Sequence, residues 1–229
     1  MKIRGVITAR RLIAFLLLVA FSVTGYLAWK LSHDRVVQAP AQIEDYVFWQ
    51  AKELSDFHLI RARNGTLGLQ DLRGKWTFVF FGYTHCPDIC PVTLAVLGQA
   101  FRIIDRTPGL ASETQGVFIS VDPKRDTPES LAEYVSFFNQ RFLGVTGSVA
   151  QLDAFSRQIG VFYTVHDREA GKPDDSYLVT HSSTIFLIDP QGRLSGRFPP
   201  PHDAQEIADI FQKIRTFHNE RANKKWIFF

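Results

Sequence analysis

The chain contains very little cysteine, with two in 229 residues. Both belong to one segment, as Cys86 and Cys90, which excludes a fold held together by several disulfides. The segment follows an apolar run, Thr77 to Phe81, and precedes a predicted helix. Two sulfurs at this spacing can close a disulfide, bind a soft metal as thiolates, or alternate between these states.

Acidic residues are absent from the first 30 positions, and Leu12 to Trp29 contains no charge at all. These 18 residues, at about 1.5 Å each, would span about 27 Å as a helix, close to the hydrocarbon thickness of a bilayer. We predict a transmembrane anchor at residues 12–31 after a cytoplasmic N-terminus at residues 1–11, because four basic residues precede the span. A cleaved signal peptide is the alternative, but the apolar run is longer than a usual signal core.

The chain also has no Lys/Arg cluster large enough to follow a phosphate backbone. Five of its 26 basic residues lie at or before Lys30, so 21 basic residues stand against 23 acidic residues in the remainder. The net charge of +3 therefore reflects membrane topology and gives no support for nucleic-acid binding.

Beyond the anchor, the sequence predicts one α/β domain. Residues 32–55, of mixed polarity, are interpreted as a tether, residues 56–219 as the domain, and residues 220–229 as a C-terminal tail. The pair Asn64-Gly65 predicts a β-hairpin at the start of the domain, because both residues tolerate a positive φ.

The order of elements predicts a thioredoxin-like fold with that N-terminal hairpin. Two apolar strands, each followed by a helix, favour a parallel sheet, and a later hairpin and last helix complete the topology. The predicted elements are the strand Thr77–Phe81, a helix from Pro91 to about Ile104, the strand Gly116–Val121, a helix from Thr127 to Phe138, a helix from Ser148 to Gly160, a strand from Phe162 to Val165, a hairpin of Ser183–Ile188 with Leu194–Phe198, and a helix from Asp203 to Phe217.

The position of the cysteines predicts reactive sulfur. A thiol at a helix N-terminus meets unpaired N–H groups, which favour the thiolate and lower its pKa. The gap between Cys86 and Cys90 is one residue longer than in ordinary dithiol oxidoreductases, and a wider gap suits one ion held between two sulfurs. Thiolates select Cu(I) and also bind Cu(II) and Zn(II), so a third ligand decides the type of site.

A histidine is the candidate for that third ligand. His181 lies just before the strand that begins near Thr184, where the predicted fold brings the chain next to the cysteine loop. From geometry alone it could equally be a surface or hydrogen-bonded histidine. His85 is the rival, but adjacent side chains in extended backbone point to opposite sides, which disfavours its sharing an ion with Cys86.

Three separated motifs closely resemble the Sco/SenC family of membrane-anchored copper proteins. They are Phe81–Pro91, Ser120–Pro128, and Val179–Ser183 followed by Asp189–Gly192, within a resemblance from about Phe57 to the final helix. The resemblance implies copper ligands at Cys86, Cys90 and His181. It also implies a thioredoxin-like domain that helps to assemble the CuA centre of cytochrome c oxidase, as a copper donor, as a thiol reductant of the target, or as both.

The same resemblance places Asp122 near the metal, where it would orient the copper site from outside the ligand set. The alternative is a carboxylate at a strand end that caps the turn at Pro123. Arg125 and Asp126 are interpreted as residues that start the next helix. The aromatic side chains Phe78, Phe80 and Phe81 are interpreted as sheet core.

We therefore expect a copper metallochaperone that is not a turnover enzyme. It would carry Cu(I) or Cu(II) to the CuA-bearing subunit of cytochrome c oxidase, and it would depend on copper donors and thiol reductants. The alternative is a thiol-disulfide oxidoreductase that keeps the target cysteines reduced. A structural disulfide leaves His181 unexplained, a glutathione peroxidase needs a motif that this chain lacks, and structural zinc needs a fourth ligand.

Without a long presequence, a bacterial inner membrane with the domain in the periplasm is favoured over the mitochondrial inner membrane facing the intermembrane space.

Overall fold

The computed structural model describes the backbone of residues 3–33, 39–62, 65–166 and 177–226. Side chains are described for residues 9–30, 39–62, 65–166, 177–180 and 182–221, so the side chain of His181 lies outside the description. The chain divides into two compact units, Met1–Gln38 and Ala39–Phe229.

The described part of the N-terminal unit is one helix, α1 (Ile3–His33). Its segment Ala9–Lys30 is long and apolar enough to cross a membrane, and within the described residues no other helix is. The hydroxyls of Ser22 and Thr24 donate to the carbonyls four residues earlier, at 2.9 and 2.7 Å, which satisfies both polar groups within the helix itself. The helix predicted at residues 12–31 is therefore present, and the segment is a candidate membrane span.

The globular unit is built on ten described strands. They are β1 (Val47–Glu53), β2 (His58–Arg61), β3 (Gly65–Gly68), β4 (Trp76–Gly82), β5 (Thr114–Ser120), β6 (Phe142–Thr146), β7 (Tyr163–Val165), β8 (Val179–His181), β9 (Ile185–Ile188) and β10 (Arg193–Phe198). Eight of them form one sheet in the order β1-β10-β9-β4-β5-β6-β2-β3, and β7 pairs with β8 in a separate hairpin.

Six described helices accompany this sheet. They are α2 (Leu69–Leu72), α3 (Ile89–Ile104), α4 (Leu110–Glu113), α5 (Pro128–Phe138), α6 (Val149–Ile159) and α7 (Ala204–Trp226). Strands β4, β5 and β6 run parallel, whereas β9 and β10 are antiparallel to their neighbours. This is the predicted thioredoxin-like arrangement, and the predicted hairpin of β2 with β3 is present, although Asn64 of its turn lies outside the described residues.

Local sequence explains the central elements. Every residue of β4 and β5 is buried, as expected for parallel strands covered on both faces. The predicted core residues Phe78, Phe80 and Phe81 are all fully buried. The Thr127 side chain caps α5, which confirms the predicted helix start.

The predicted tether at residues 32–55 is wrong from Ala39 onward. Ile43 is buried in the core, and β1 pairs antiparallel with β10 at the edge of the sheet. The strand is hard to recognise because β1 lies at the edge of the sheet and none of its side chains is fully buried, although it begins with the apolar residues Val47 to Trp49. The folded unit therefore begins at Ala39.

One further strand and two helix boundaries differ from the predictions. The strand β6 was not expected, and α7 continues through the predicted tail to Trp226. The helix α3 begins at Ile89 and not at Pro91. Because the first N–H groups of a helix have no partner within it, a proline in the first turn costs no hydrogen bond and need not mark the first position.

Candidate functional site

The two cysteines lie where β4 ends and α3 begins. Cys90, in the first turn of α3, is completely buried, whereas Cys86 in the preceding loop is partly exposed. The backbone N–H of Cys90 donates to the Cys86 sulfur at 3.4 Å, and the two thiol groups are hydrogen-bonded to each other. The structure therefore brings the predicted sulfur pair together.

The expectation that the helix N-terminus activates Cys90 is wrong. Burial raises the pKa of the Cys90 thiol well above its ordinary value, and the hydrogen bond with Cys86 adds to this, against a smaller lowering effect of the Tyr83 backbone. The loss of hydration raises this pKa by more than the N–H groups of the helix start lower it, because the Cys90 sulfur is completely shielded from water. It is Cys86 that accepts an N–H from the first turn of α3.

The space occupied by the Cys90 sulfur depends on Gly82, the last residue of β4. A Cβ at position 82 would lie 2.8 Å from the Cys90 sulfur and 2.6 Å from Cε2 of Phe118. Both distances are shorter than any real contact, so only glycine fits without movement. Sequence reasoning did not identify this residue, although its position directly before the loop was visible.

Asp126 fastens the loop to the neighbouring strand. Its buried carboxylate accepts hydrogen bonds from the Thr84 N–H at 2.9 Å, from the Thr84 hydroxyl at 2.5 Å and from the Ser120 hydroxyl at 2.5 Å. The interpretation of Asp126 as only a helix-start residue was therefore incomplete. The residue holds the segment that leads into Cys86.

His85 faces this same network. Its Nδ1 lies 3.1 Å from the Thr84 hydroxyl and 3.6 Å from the Asp126 carboxylate, and its side chain is half exposed. These contacts account for the orientation of the ring.

Asp122 and Arg125 form a second network, which includes Tyr177. The Asp122 carboxylate, almost fully buried, accepts hydrogen bonds from the Tyr177 hydroxyl at 2.5 Å and from Nε of Arg125. The turn at Pro123 is closed by the Asp122 backbone carbonyl, which accepts the N–H groups of Arg125 and Asp126, whereas the alternative interpretation had given this role to the carboxylate. Arg125 is thus more than a helix-start residue, because it joins the end of β5 to the segment containing Tyr177.

The backbone of His181 belongs to β8, where it pairs with Tyr163 of β7. Its side chain lies outside the described part of the chain. Among the described side chains, no group of three or more His, Cys, Asp and Glu residues is arranged to hold a metal. The ligand role of His181 therefore stays a prediction.

Two other contacts place the His181 segment. The Tyr83 hydroxyl is hydrogen-bonded to the backbone of Val179, two residues before His181. On the other side, Nε2 of His202 lies 2.7 Å from the Ser183 carbonyl oxygen, within hydrogen-bond distance. The backbone is therefore held by hydrogen bonds two residues before and two residues after His181.

The Tyr134 side chain carries a buried hydroxyl whose pKa is influenced by both cysteines. The Tyr134 hydroxyl on α5 has no hydrogen-bond partner among the described residues, and burial raises its pKa, with Cys90 and Cys86 as further contributors. The centre of its ring lies 5.7 Å from that of Phe118, the same ring that abuts Gly82. Sequence reasoning gave no indication of this residue.

Comparisons with known proteins identify a family that this chain resembles over most of its length. A family model described as SCO1/SenC matches residues 49–216. The mitochondrial SCO2 homolog of Homo sapiens is 40% identical over 158 residues, which are 69% of this chain and 58% of that protein. The chain therefore spans a little over half the length of that relative.

Solved structures share the fold. Arabidopsis thaliana ScoI with copper bound has 36% sequence identity and a TM-score of 0.64, with 71% of this chain and 98% of that chain covered. Yeast Sco1 with copper bound has 30% identity and a TM-score of 0.65, with 78% and 99% covered.

Proposed function

The chain belongs to the SCO1/SenC family, and from this membership we propose that it binds one copper ion through Cys86, Cys90 and His181 and helps to assemble cytochrome c oxidase. In this proposal copper is cargo, delivered to the CuA-bearing subunit by exchange of ligands. Two similar proteins have been solved with copper bound, which supports the choice of metal.

The observation that carries the proposal is the paired sulfur at the end of β4. The hydrogen bond between the two thiols and the N–H that Cys90 donates to Cys86 bring both sulfurs to one point of the loop. Soft thiolates at this separation favour Cu(I) over the hard cations, which prefer oxygen. The donor set therefore fits copper.

Charge explains how the site would hold and release its cargo. Two thiolates and a neutral imidazole carry a charge of −2, so Cu(II) gives a neutral site and Cu(I) a singly negative one. Copper binding displaces the thiol protons, and oxidation of the pair to a disulfide removes two of the three ligands at once. Exposure of Cys86 gives a partner access to one ligand while Cys90 stays shielded.

The proposed location is the outer side of a membrane. Four basic residues before Ala14 and the absence of acid before Lys30 favour a cytoplasmic N-terminus. We place the globular unit in a bacterial periplasm, with the mitochondrial intermembrane space as the alternative.

A second candidate function is thiol-disulfide exchange with the target cysteines. The observation in its favour is the unequal exposure of the pair, with Cys86 open to attack and Cys90 buried beside it. Such a pair can form a mixed disulfide at the exposed sulfur and resolve it from the buried one.

An anaerobic copper titration of the reduced full chain in detergent tests the first function. We expect one copper per chain, with sulfur and nitrogen neighbours in X-ray absorption. Cys86→Ser, Cys90→Ser and His181→Ala should each weaken binding at least about tenfold, since residues outside a ligand set already change metal affinity by 10–100-fold.

The matched control is His58→Ala, which removes an exposed histidine from β2. Its copper affinity should equal that of the original chain. Unchanged affinity in His181→Ala would remove this residue from the site, and no copper binding by the reduced chain would leave thiol exchange as the function.

A further inference from the structure

Arg125 joins the cysteine end of the sheet to the segment that leads into β8. It lies in the turn after β5, and its side chain is 9% exposed. Its Nε donates to the Asp122 carboxylate, and its guanidinium lies 5.4 Å from the ring centre of Tyr83, which precedes the cysteine loop. The cation is therefore fixed on the side of β4 and β5.

Tyr177 makes two contacts with this cation and a third with the carboxylate of Asp122. The Arg125 guanidinium lies 3.7 Å from the centre of the Tyr177 ring, and Nη1 of Arg125 donates to the Tyr177 carbonyl at 3.0 Å. The Tyr177 hydroxyl donates to the Asp122 carboxylate at 2.5 Å. Ring, backbone and hydroxyl are thus all held, although Tyr177 is 52 residues from Arg125 in sequence.

Tyr83 also connects the cysteine end of the sheet to β8. Its hydroxyl is hydrogen-bonded to the backbone of Val179, and its own backbone is hydrogen-bonded to the Cys90 sulfur. One residue therefore touches both the buried cysteine and the first residue of β8. His181 follows Val179 by two positions on the same short strand.

We infer that Arg125, Asp122 and Tyr177 form a clamp that fixes β8 against the cysteine loop before copper arrives and so sets the affinity for the ion. The clamp residues are positioning residues and bind no copper themselves. This inference rests on the proposed function, because it assigns the clamp to the strand that carries the proposed imidazole ligand.

The physical reason is preorganisation. A ligand on a strand that must be ordered during binding lowers the affinity by the free energy of ordering. A strand already held by a stacked cation and hydrogen bonds avoids most of that cost. The desolvated setting of Arg125 strengthens these contacts relative to an exposed pair.

The test compares two variants with a matched control in the reduced full chain in detergent. Arg125→Gln removes the stacked cation, and Tyr177→Phe removes the hydroxyl contact but keeps the ring. The control is Arg141→Gln, because Arg141 also pairs with a carboxylate, that of Asp105, and lies 4.9 Å from an aromatic ring centre, that of Phe101.

Two measurements are made on each variant. Hydrogen exchange of the metal-free chain reports the backbone protection of residues 177–181, and competition with a chromophoric chelator reports Cu(I) affinity. We expect Arg125→Gln to speed exchange in this segment and to weaken Cu(I) binding about tenfold or more, with a smaller effect in Tyr177→Phe. Arg141→Gln should change neither quantity, and far-UV circular dichroism confirms that each variant is folded.

The outcomes separate the clamp from the proposed function. Unchanged exchange at residues 177–181 in Arg125→Gln would overturn the clamp, whatever the copper affinity. Faster exchange with unchanged Cu(I) affinity would overturn its role in copper binding. If Cys86→Ser and His181→Ala leave Cu(I) binding intact, it is the proposed function that fails, while the exchange result still decides whether the clamp exists.

Discussion

Single residues of the cysteine loop differ in exposure, and this difference has a chemical consequence. Cys90 is completely buried and its pKa is raised, whereas Cys86 is partly open to solvent. Alkylation requires an accessible thiolate. We therefore expect iodoacetamide to modify Cys86 well before Cys90 in the folded, reduced, metal-free chain.

Peptide mass spectrometry after short exposures measures the two rates. In denaturant the rates should become similar, because both thiols then meet the reagent equally. Faster modification of Cys90 in the folded chain would contradict the assigned burial and would reverse which sulfur a partner reaches first.

The residues of this site were only partly predictable from sequence. The sulfur pair was visible because the chain has no other cysteine. The contacts of Arg125 with Tyr177 were not, because they join positions 52 residues apart and follow from side-chain packing. The need for glycine at position 82 depends likewise on where Phe118 and the Cys90 sulfur come to lie.

At the scale of secondary-structure elements, the Asp126 carboxylate joins the loop after β4 to the end of β5. We expect Asp126→Ala to lower the free energy of unfolding by about 3 kcal/mol, because it leaves the donors of the partly buried Thr84 and the buried Ser120 without their acceptor. Urea denaturation followed by tryptophan fluorescence measures the change.

The matched control is Asp105→Ala. Asp105 likewise accepts from a side chain distant in sequence, that of Arg141, but the Asp105 side chain is 36% exposed. An exposed pair contributes about 0–1 kcal/mol, so this variant should lose little stability. Equal losses in the two variants would show that Asp126 does not fasten the loop in the way its contacts indicate.

The elements that were predicted well have residues at their ends that mark where they start and stop. Ser148 and Gly160 delimit α6 through a side-chain cap and a left-handed C-terminal residue with φ of 83°. The strands β1 and β6 were missed because their place depends on distant partners. β1 pairs with β10 about 140 residues later, and the burial of its side chains does not alternate along the strand.

At the scale of the whole molecule, copper binding and folding should be linked. The proposed ligands come from the loop after β4 and from β8, which are about 90 residues apart in sequence. An ion held by both segments binds the folded chain more tightly than the unfolded one, because unfolding separates His181 from the cysteines. The ion would therefore stabilise the folded state.

We expect Cu(I) at a free concentration 100 times its dissociation constant to raise the free energy of unfolding by up to about 2.7 kcal/mol. The gain falls below this limit to the extent that Cys86 and Cys90, close in sequence, still bind the ion in the unfolded chain. Anaerobic urea denaturation with and without Cu(I) measures it. Cys86→Ser and the disulfide form should both lose most of the gain, because each lacks thiolate ligands, whereas His58→Ala should keep it. A full gain in the disulfide form would mean that copper binds somewhere other than the sulfur pair.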